Sequence, residues 1–495
     1  MNVSTASHFQ ISVIAAGLVL LAGAGCRKPV PPGALVLTQS PATADATPAS
    51  DILDSRYPAG SRVVLATAPF DSGRVQLLSE GLAAAGGSTV SYDGQRVFFS
   101  GKANATGDWQ IYEVSPAGGR ARVLTSMPGG AMSPALLPDG SLVFASPVPK
   151  IGGTHSSLPP SALYVQSPDG QPRRLTFGPD PVTEPTLLSD GRILFASTTL
   201  PTEISNSLLP GPALFTINND GTEVAAFAQK LDPGTVIERP RELAEGRVVY
   251  MVSKSDGGLP GGPAEFVRTA RPFQNRAPLF PAVTARVRSV EPANNGDLLV
   301  CAENTSGTRR SLALFRLAPT EAALGAPLLA DSAWNSCEAV EMSPHRQPMG
   351  RLSTMDPAKS TGKILCLDAN FSNDPFLDHP LAGTTPVATH VRVLAQTSPG
   401  NISALGEVPV QDDGSFLAEV PADVPIGFET LDENGRVLRW ETPNIWVRPA
   451  ENRTCIGCHE PRNRSPHNHR PLAVSAPVPR LGLADATTLQ RKTDR

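Results

Sequence analysis

Five aromatic residues, Tyr112, Tyr164, Phe215, Phe266 and Phe315, follow one another at intervals of 52, 51, 51 and 49 residues. Each lies in an apolar run that reads as a strand, and each is preceded by a turn dipeptide and a second apolar run. Asp93-Gly94 precedes Val97-Phe98-Phe99, Asp139-Gly140 precedes Leu142-Val143-Phe144, and Asp190-Gly191 precedes Ile193-Leu194-Phe195. Weaker copies are Glu245-Gly246 before Val248-Val249-Tyr250 and Asn295-Gly296 before Leu298-Leu299-Val300. Leu124-Thr125 and Leu175-Thr176 close two of the units. A fixed period near 50 with several short strands in each unit is the signature of a β-propeller, whose sheets bury their faces only against one another. The turn dipeptides supply the positive-φ positions that tight hairpins need. A sandwich array would show no such regular spacing.

The ends of the repeat region suggest how the ring closes. Val63-Val64-Leu65 and Gly73 to Leu78 resemble the outer half of a unit, and Glu341 to Leu352 a degenerate inner half. Joined, they make a sixth blade without an exposed edge, so the expectation is six blades over residues 59–360, seven being the alternative. With 50 Pro, 43 Gly and only 5% aromatic residues, the chain must build its cores mostly from Val, Leu, Ile and Ala. The formal net charge of −4 provides no broad basic field for nucleic acid. The segments Ser91-Tyr92-Asp93-Gly94, Ser167-Pro168-Asp169-Gly170 and Arg174-Leu175-Thr176 resemble the repeats of TolB-like six-bladed propellers, and that resemblance implies a surface that binds proteins or peptides.

Beyond residue 360 the period is lost. Strands are expected at Lys363–Leu367, Val391–Leu394, Gly406–Val410, Ser415–Val420, Ile426–Leu431 and Val437–Trp440, with turns at Asp413-Gly414 and Asn434-Gly435. Short, turn-bounded strands in about 85 residues predict a small β-sandwich over 361–448. The whole chain is therefore expected to be all-β.

A short segment at 449–475 follows, with a tail at 476–495. It contains Thr454-Cys455-Ile456-Gly457-Cys458-His459-Glu460. C-x-x-C-H is the attachment sequence of a c-type haem: two thiols reach the two vinyl groups on one porphyrin edge, and the next imidazole meets the iron. A redox pair would sit on a thioredoxin-like βαβ pattern, which is not visible. A zinc site needs further ligands nearby, and His467 and His469 are the residues that would supply them. Under the haem reading, Cys455 and Cys458 attach one haem c and His459 is the proximal iron ligand. Only 36 residues follow His459, too few for a free-standing cytochrome domain, and no Met is among them. His467 or His469 is a candidate distal ligand, since eight to ten extended residues reach about 26–33 Å. His345, His379, His390, Met342 and Met349 are further candidates, and an open iron site is the remaining alternative. Trp440 and Trp446 are expected in the core or stacked near the porphyrin.

The N-terminus is an address. Residues 11–21 are apolar apart from Ser12, and Ala22-Gly23-Ala24-Gly25 lead to Cys26. The run is too short to span a bilayer and matches a signal-peptide core. Residues 1–25 are thus expected to be a signal peptide and Cys26 a lipidated first residue, although Gly23 replaces the usual Leu of bacterial lipoprotein signals and no Lys or Arg precedes the run. The alternative is an ordinary secretory signal with Cys26 incidental. Residues 26–58, rich in Pro, Ala and Thr, are expected to be a flexible linker. Cys301, Cys337 and Cys366 stand alone, either buried or with two joined as a disulfide, which an exported compartment permits.

Asp413-Gly414-Ser415-Phe416, Val420 to Ile426 and Arg448 to Glu460 together resemble the hydrazine synthase alpha-subunit-like family. That resemblance implies a propeller, a middle β domain and a C-terminal c-type haem. The enzyme of that family is multihaem and multisubunit, whereas this sequence has a single C-x-x-C-H, so hydrazine synthesis is not carried over. The expected function is an exported, lipid-anchored monohaem cytochrome on the periplasmic face of a bacterial membrane, most simply the outer one. It would exchange electrons with a redox partner, or another envelope protein, docked on the propeller. The alternatives are a haem enzyme with an open iron at the domain interface, and an envelope scaffold with a non-catalytic haem.

Overall fold

The structure, a computed structural model, describes residues 30–42, 56–149, 160–199, 211–228, 231–254, 261–274, 276–283, 285–304, 311–321, 323–372, 386–398, 401–458, 468–483 and 487–488. Six antiparallel sheets form a ring. Blade 1 runs Ala84–Val90, Val97–Lys102, Gln110–Val114 and Arg122–Val123; blade 2 runs Met132–Leu136, Leu142–Pro147, Ser161–Gln166 and Arg173–Arg174. Blade 3 runs Val182–Leu187, Ile193–Thr199, Gly211–Ile217 and Ala225–Ala226; blade 4 runs Thr235–Leu243, Arg247–Lys254, Ala264–Arg268 and Ala277–Pro278. Blade 5 has Val287–Pro292, Leu298–Asn304 and Ser311–Leu317. Six blades and the all-β class agree with the period of the sequence.

The repeating aromatics have a clear purpose. Each lies on the third strand of its blade, opposite a residue of the second strand. Phe99 faces Tyr112, Phe144 faces Tyr164 and Phe195 faces Phe215, with ring centroids 5.9, 6.2 and 5.8 Å apart. Val249 faces Phe266 and Val300 faces Phe315 in the weaker copies. Such cross-strand pairs stabilise a sheet face by roughly 0.2–1 kcal/mol each. The Leu-Thr signals tie the chain back onto the third strand: Thr125 and Thr176 accept hydrogen bonds from the Ile111 and Leu163 amides, both at 2.9 Å.

Blade 6 closes the ring differently from expectation. Its inner strand is Trp334–Glu341, not 341–352, and its neighbours are Leu35–Pro41, Arg62–Ala66 and Val75–Leu77. Leu35, Val36 and Leu37 are fully buried, so this part of the expected linker 26–58 is a core strand; its apolar triplet finds a partner about 300 residues away. Cys301 of blade 5 and Cys337 of blade 6 form a disulfide across this closure. Residues 343–355 are instead a strap over the corners of three blades. The amides of His345 and Met349 donate to Tyr92 and Ser189 carbonyls at 3.0 and 3.1 Å. Gly94 and Gly191, at φ 68° and 85°, are required twice over, because a Cβ on either would collide with the Ser343 or Met349 backbone.

The strap leads into the sandwich. One sheet has the order Phe416–Pro421, Thr361–Asp368, Asn452–Gly457; the other has Val437–Trp440, Ile426–Leu431, His390–Ser398, Asn401–Pro409, Thr487–Thr488. Ile364, Val391, Val393, Phe416, Val420 and Ile426 pack between them. Trp446 is 4% exposed and leaves the sandwich to pack among Leu175, Val165 and Val224 of the propeller. Its indole Nε1 donates to the Gly221 carbonyl at 3.4 Å, and its ring meets Phe177 edge-on. The core alternative for Trp446 is the one observed.

Candidate functional site

The segment Arg448 to Cys458 is positioned before its chemistry begins. Arg448 is buried; its guanidinium donates to Asp423 at 2.8 Å and lies 4.8 Å from the centre of the Phe177 ring. Glu451 accepts from the Glu223 amide at 2.9 Å and from the Arg448 amide at 2.6 Å, and Arg453 donates to the Val224 carbonyl. These bonds lock the start of the strand onto blade 3. Residues 452–457 then pair in parallel with Thr361–Asp368, in the register Lys363 to Asn452 through Asp368 to Gly457. The sequence predicted no strand here, since Asn452, Arg453 and Gly457 are poor strand formers; the pairing partner supplies the order. Gly457 is needed because a Cβ there would strike the Phe371 carbonyl.

Cys455 faces Cys366 across this ladder, and both Cys455 and Cys458 pack on the sandwich core. Cys366 is buried, and its thiol is held well above the usual thiol range, first by Cys458 and then by burial. Burial pushes the Cys455 thiol up to about 11, opposed by Arg453. His459 and His467 lie outside the described residues, as do Cys26, His379 and the expected signal peptide.

His469 returns to the same end of the sheet. Its Nε2 is 2.9 Å from Asp413 Oδ2. Asp413 also accepts from the Leu472 amide at 2.8 Å and from the Ser415 hydroxyl at 2.6 Å. Burial alone would raise its pKa, but these donors hold the carboxyl well below the usual carboxylate range. The Asp413–Ser415 turn packs on Asp368, the residue that pairs with Gly457. The other distal candidates are elsewhere. Met342 is in the propeller core, His345 sits on the strap beside Tyr92, Met349 is exposed, and His390 lies on the second sandwich sheet. Among the described residues, no group of three or more His, Cys, Asp or Glu side chains is arranged to hold a metal ion.

The donor set suits a c-type haem. Cys455 lies on the edge strand Asn452–Gly457 and Cys458 follows directly after it, both half-buried and both against the sandwich core, and His459 is the next residue in the sequence.

A second polar constellation fills the propeller axis, and the sequence reading missed it. In five blades the inner strand bulges by two residues, and the first of these has a left-handed φ: Gly87, Ser133, Glu184, Arg239 and Glu338 at 69°, 55°, 56°, 48° and 56°. Arg288 occupies the bulge of blade 5. Bulges of this kind re-aim side chains. Arg288 contacts Glu238 at 2.7 Å, Arg239 contacts Glu291 at 2.5 Å and Arg241 contacts Glu291 at 2.6 Å. Arg56, from the segment entering blade 6, pairs with Glu184 and Glu238, while the Tyr57 hydroxyl donates to Glu338 at 2.8 Å. Four arginines meet four glutamates. The bulge residues recur at 46, 51, 55, 49 and 50 residues, the same period that the aromatics follow, and this was the available signal. A cavity of about 350 Å³ opens on this axis under the strap, lined by Tyr92, Arg241, Glu291 and His345 among others.

Residues 385–460 match the family model for the hydrazine synthase alpha subunit middle domain, a window that ends just past Cys455–His459. The structure of Kuenenia stuttgartiensis hydrazine synthase superposes with a TM-score of 0.77 at 18% identity, covering 90% of this chain and 71% of that one. TolB from Acinetobacter baumannii gives a TM-score of 0.40 at 14% identity, covering 63% of this chain and 66% of that one. The hydrazine synthase match alone bears on the architecture, and at this identity it establishes the fold and not the activity. No curated protein sequence matches the chain. No helix among the described residues is long and apolar enough to cross a membrane.

Proposed function

We propose that the protein is an exported monohaem c-type cytochrome, anchored by lipid at Cys26, that transfers electrons to or from a partner docked on the propeller. Cys455 and Cys458 hold the haem covalently, and His459 is the proximal ligand. Bound there, the haem supplies one-electron chemistry, whose potential the protein tunes through ligation, burial and hydrogen bonds. The observation that carries the reading is the His469–Asp413 pair at the same sheet end as the thiols. A metal-ligating histidine characteristically gives its other nitrogen to a carboxylate, which fixes the ring and its tautomer. Asp413 holds His469 in that way. His469 is therefore chosen over His467 as the distal residue.

The test is spectroscopic. Protein matured with haem is expected to be six-coordinate and low-spin, and to ignore carbon monoxide when reduced. His469→Ala is expected to turn it high-spin and carbon-monoxide-reactive. Native protein that already binds carbon monoxide would transfer the reading to a haem enzyme with an open iron. Absence of covalent haem would reject both. The anchor is tested separately: Cys26→Ser is expected to move the protein from the membrane to the soluble fraction, and retention on the membrane would remove the lipid from the proposal.

A further inference from the structure

The cavity of about 350 Å³ on the propeller axis has no part in the electron transfer proposed above. Its volume is that of a small-molecule site. Val90, Leu136, Leu187, Pro292 and Val340 give it apolar walls, and the buried arginine–glutamate network forms its floor through Arg241 and Glu291. The strap roofs it. The His345 and Met349 amides pin the strap to the Tyr92 and Ser189 carbonyls, and the Gln347 side chain donates to the Pro138 carbonyl. Arg346 lies between these pins and lines the cavity.

The charges of the lining do not all cancel within the protein. Besides His345, they are Arg241, Arg346, Glu242, Glu291 and Glu341. Glu291 takes Arg239 at 2.5 Å and Arg241 at 2.6 Å. Glu341 takes Arg316 at 3.0 Å and the Asn294 amide at 2.9 Å. Glu242 is different. Ser189 holds both its oxygens, through the amide at 2.5 Å and the hydroxyl at 3.1 Å. Those donors fix the carboxylate without supplying positive charge, and each oxygen keeps a lone pair to accept with. Among the described residues Glu242 has no cationic partner and Arg346 no carboxylate. One anion and one cation are therefore left over at the rim of an apolar-walled cavity.

We propose that this cavity binds an apolar amino-acid zwitterion, as a free amino acid or a short peptide, with its ammonium on Glu242, its carboxylate on Arg346 and its side chain against the apolar wall. A guanidinium suits a carboxylate because its planar fork matches the two oxygens. An ammonium donates three hydrogen bonds and accepts none, which suits a carboxylate already held by neutral donors. A ligand with one of the two charges makes half of these bonds. The assignment is independent of the haem and of the lipid.

The experiment is titration calorimetry of the mature full chain with four probes: leucine, leucyl-leucine, 4-methylpentanoate and 3-methylbutylamine. The last two are leucine without its ammonium and without its carboxylate. At least one zwitterion is expected to bind at a single saturable site. Leucine alone would assign a free amino acid, and leucyl-leucine alone a short peptide. The acid and the amine should each bind about ten- to a hundredfold more weakly than the zwitterion, the loss expected for one charged hydrogen-bonding partner. Glu242→Gln should weaken the zwitterion by a similar factor and leave 4-methylpentanoate unchanged. Arg346→Gln should weaken it likewise and leave 3-methylbutylamine unchanged. No saturable binding of either zwitterion below about 10 mM would overturn the proposal. So would an acid or amine that binds as tightly as the zwitterion, or a zwitterion indifferent to both substitutions. The comparison of probes on the native chain stands without the variants, whose folding is checked by circular dichroism.

Discussion

Glu338 occupies a backbone conformation that a non-glycine residue adopts at a cost, with φ at 56°. The surroundings explain why it stays there. Its carboxylate accepts from the Tyr57 hydroxyl, the Thr38 hydroxyl and the Gly87 amide, and lies 3.7 and 3.8 Å from Arg239 and Arg288. Burial alone would raise its pKa, but Arg239, Arg288 and Arg56 lower it to about 2. A carboxylate depressed in the folded state contributes stability above its unfolded pKa, and that contribution is lost as pH falls through the folded value. Between pH 4.5 and 2 the protein is therefore expected to lose stability through this residue. Glu338→Gln should cost about 3–5 kcal/mol at pH 7, because it leaves buried arginines uncompensated. Urea denaturation of both chains from pH 7 to 3 checks this. The variant should be weaker at pH 7 and should show a shallower acid decline. Equal stability at pH 7 would mean the axis is wetter than its burial indicates.

At the scale of elements, ring closure depends on Leu35–Pro41 pairing with Trp334–Glu341. The Cys301–Cys337 bridge, 36 residues apart, ties the closing strand to blade 5. Loop-closure entropy for that span gives about 3–4 kcal/mol. Cys301→Ser with Cys337→Ser is expected to lower the unfolding free energy by that amount, measured by urea denaturation; a loss under a third of it would place the closure energy in strand pairing alone. What was legible in the sequence divides along the same line. The second and third strands of blades 1 to 5 announced themselves through local signals, an Asp-Gly turn, an apolar triplet and an aromatic. The sandwich strands from Thr361 to Trp440 were legible for the same reason, alternating apolar residues between turns. Leu35–Pro41 carried no local signal among its prolines, because its partner is far along the chain. Arg122–Val123 and Arg173–Arg174 are two residues long and look like turns. Asn452–Gly457 is ordered by Thr361–Asp368 and by the clasp of Glu451 and Arg453 on blade 3, none of which a local pattern reveals. At the thiol site Cys455 and Cys458 were found by spacing, but the nearness of Cys366, 89 residues before Cys455, follows only from the parallel register.

For the whole molecule, the decisive contact is between the propeller and the sandwich. Under the proposed function, a partner docked on the propeller reaches a group on the sandwich in a fixed geometry when the two move as one body. Trp446 is the pin: its ring is buried in the propeller core although its backbone belongs to the sandwich side. Arg448, Glu451 and Arg453 surround it with polar bonds to both sides. Truncating a buried Trp costs about 3–5 kcal/mol through lost transfer and the cavity left behind. Here that loss falls on the contact between the two domains, because the side chain comes from the sandwich side and sits among propeller residues. Trp446→Ala should therefore leave each domain folded but uncouple them. Calorimetry of the native chain is expected to give one cooperative transition, and the variant two, with the sandwich melting first. Limited proteolysis should become faster in the strap at 343–355, which bridges the two parts, and Trp446→Phe should restore much of the coupling by refilling the site against Phe177. If the variant kept a single transition at a lower temperature, the two domains would be joined chiefly by the strap and the Arg448 cluster, and the indole would be packing without being the pin.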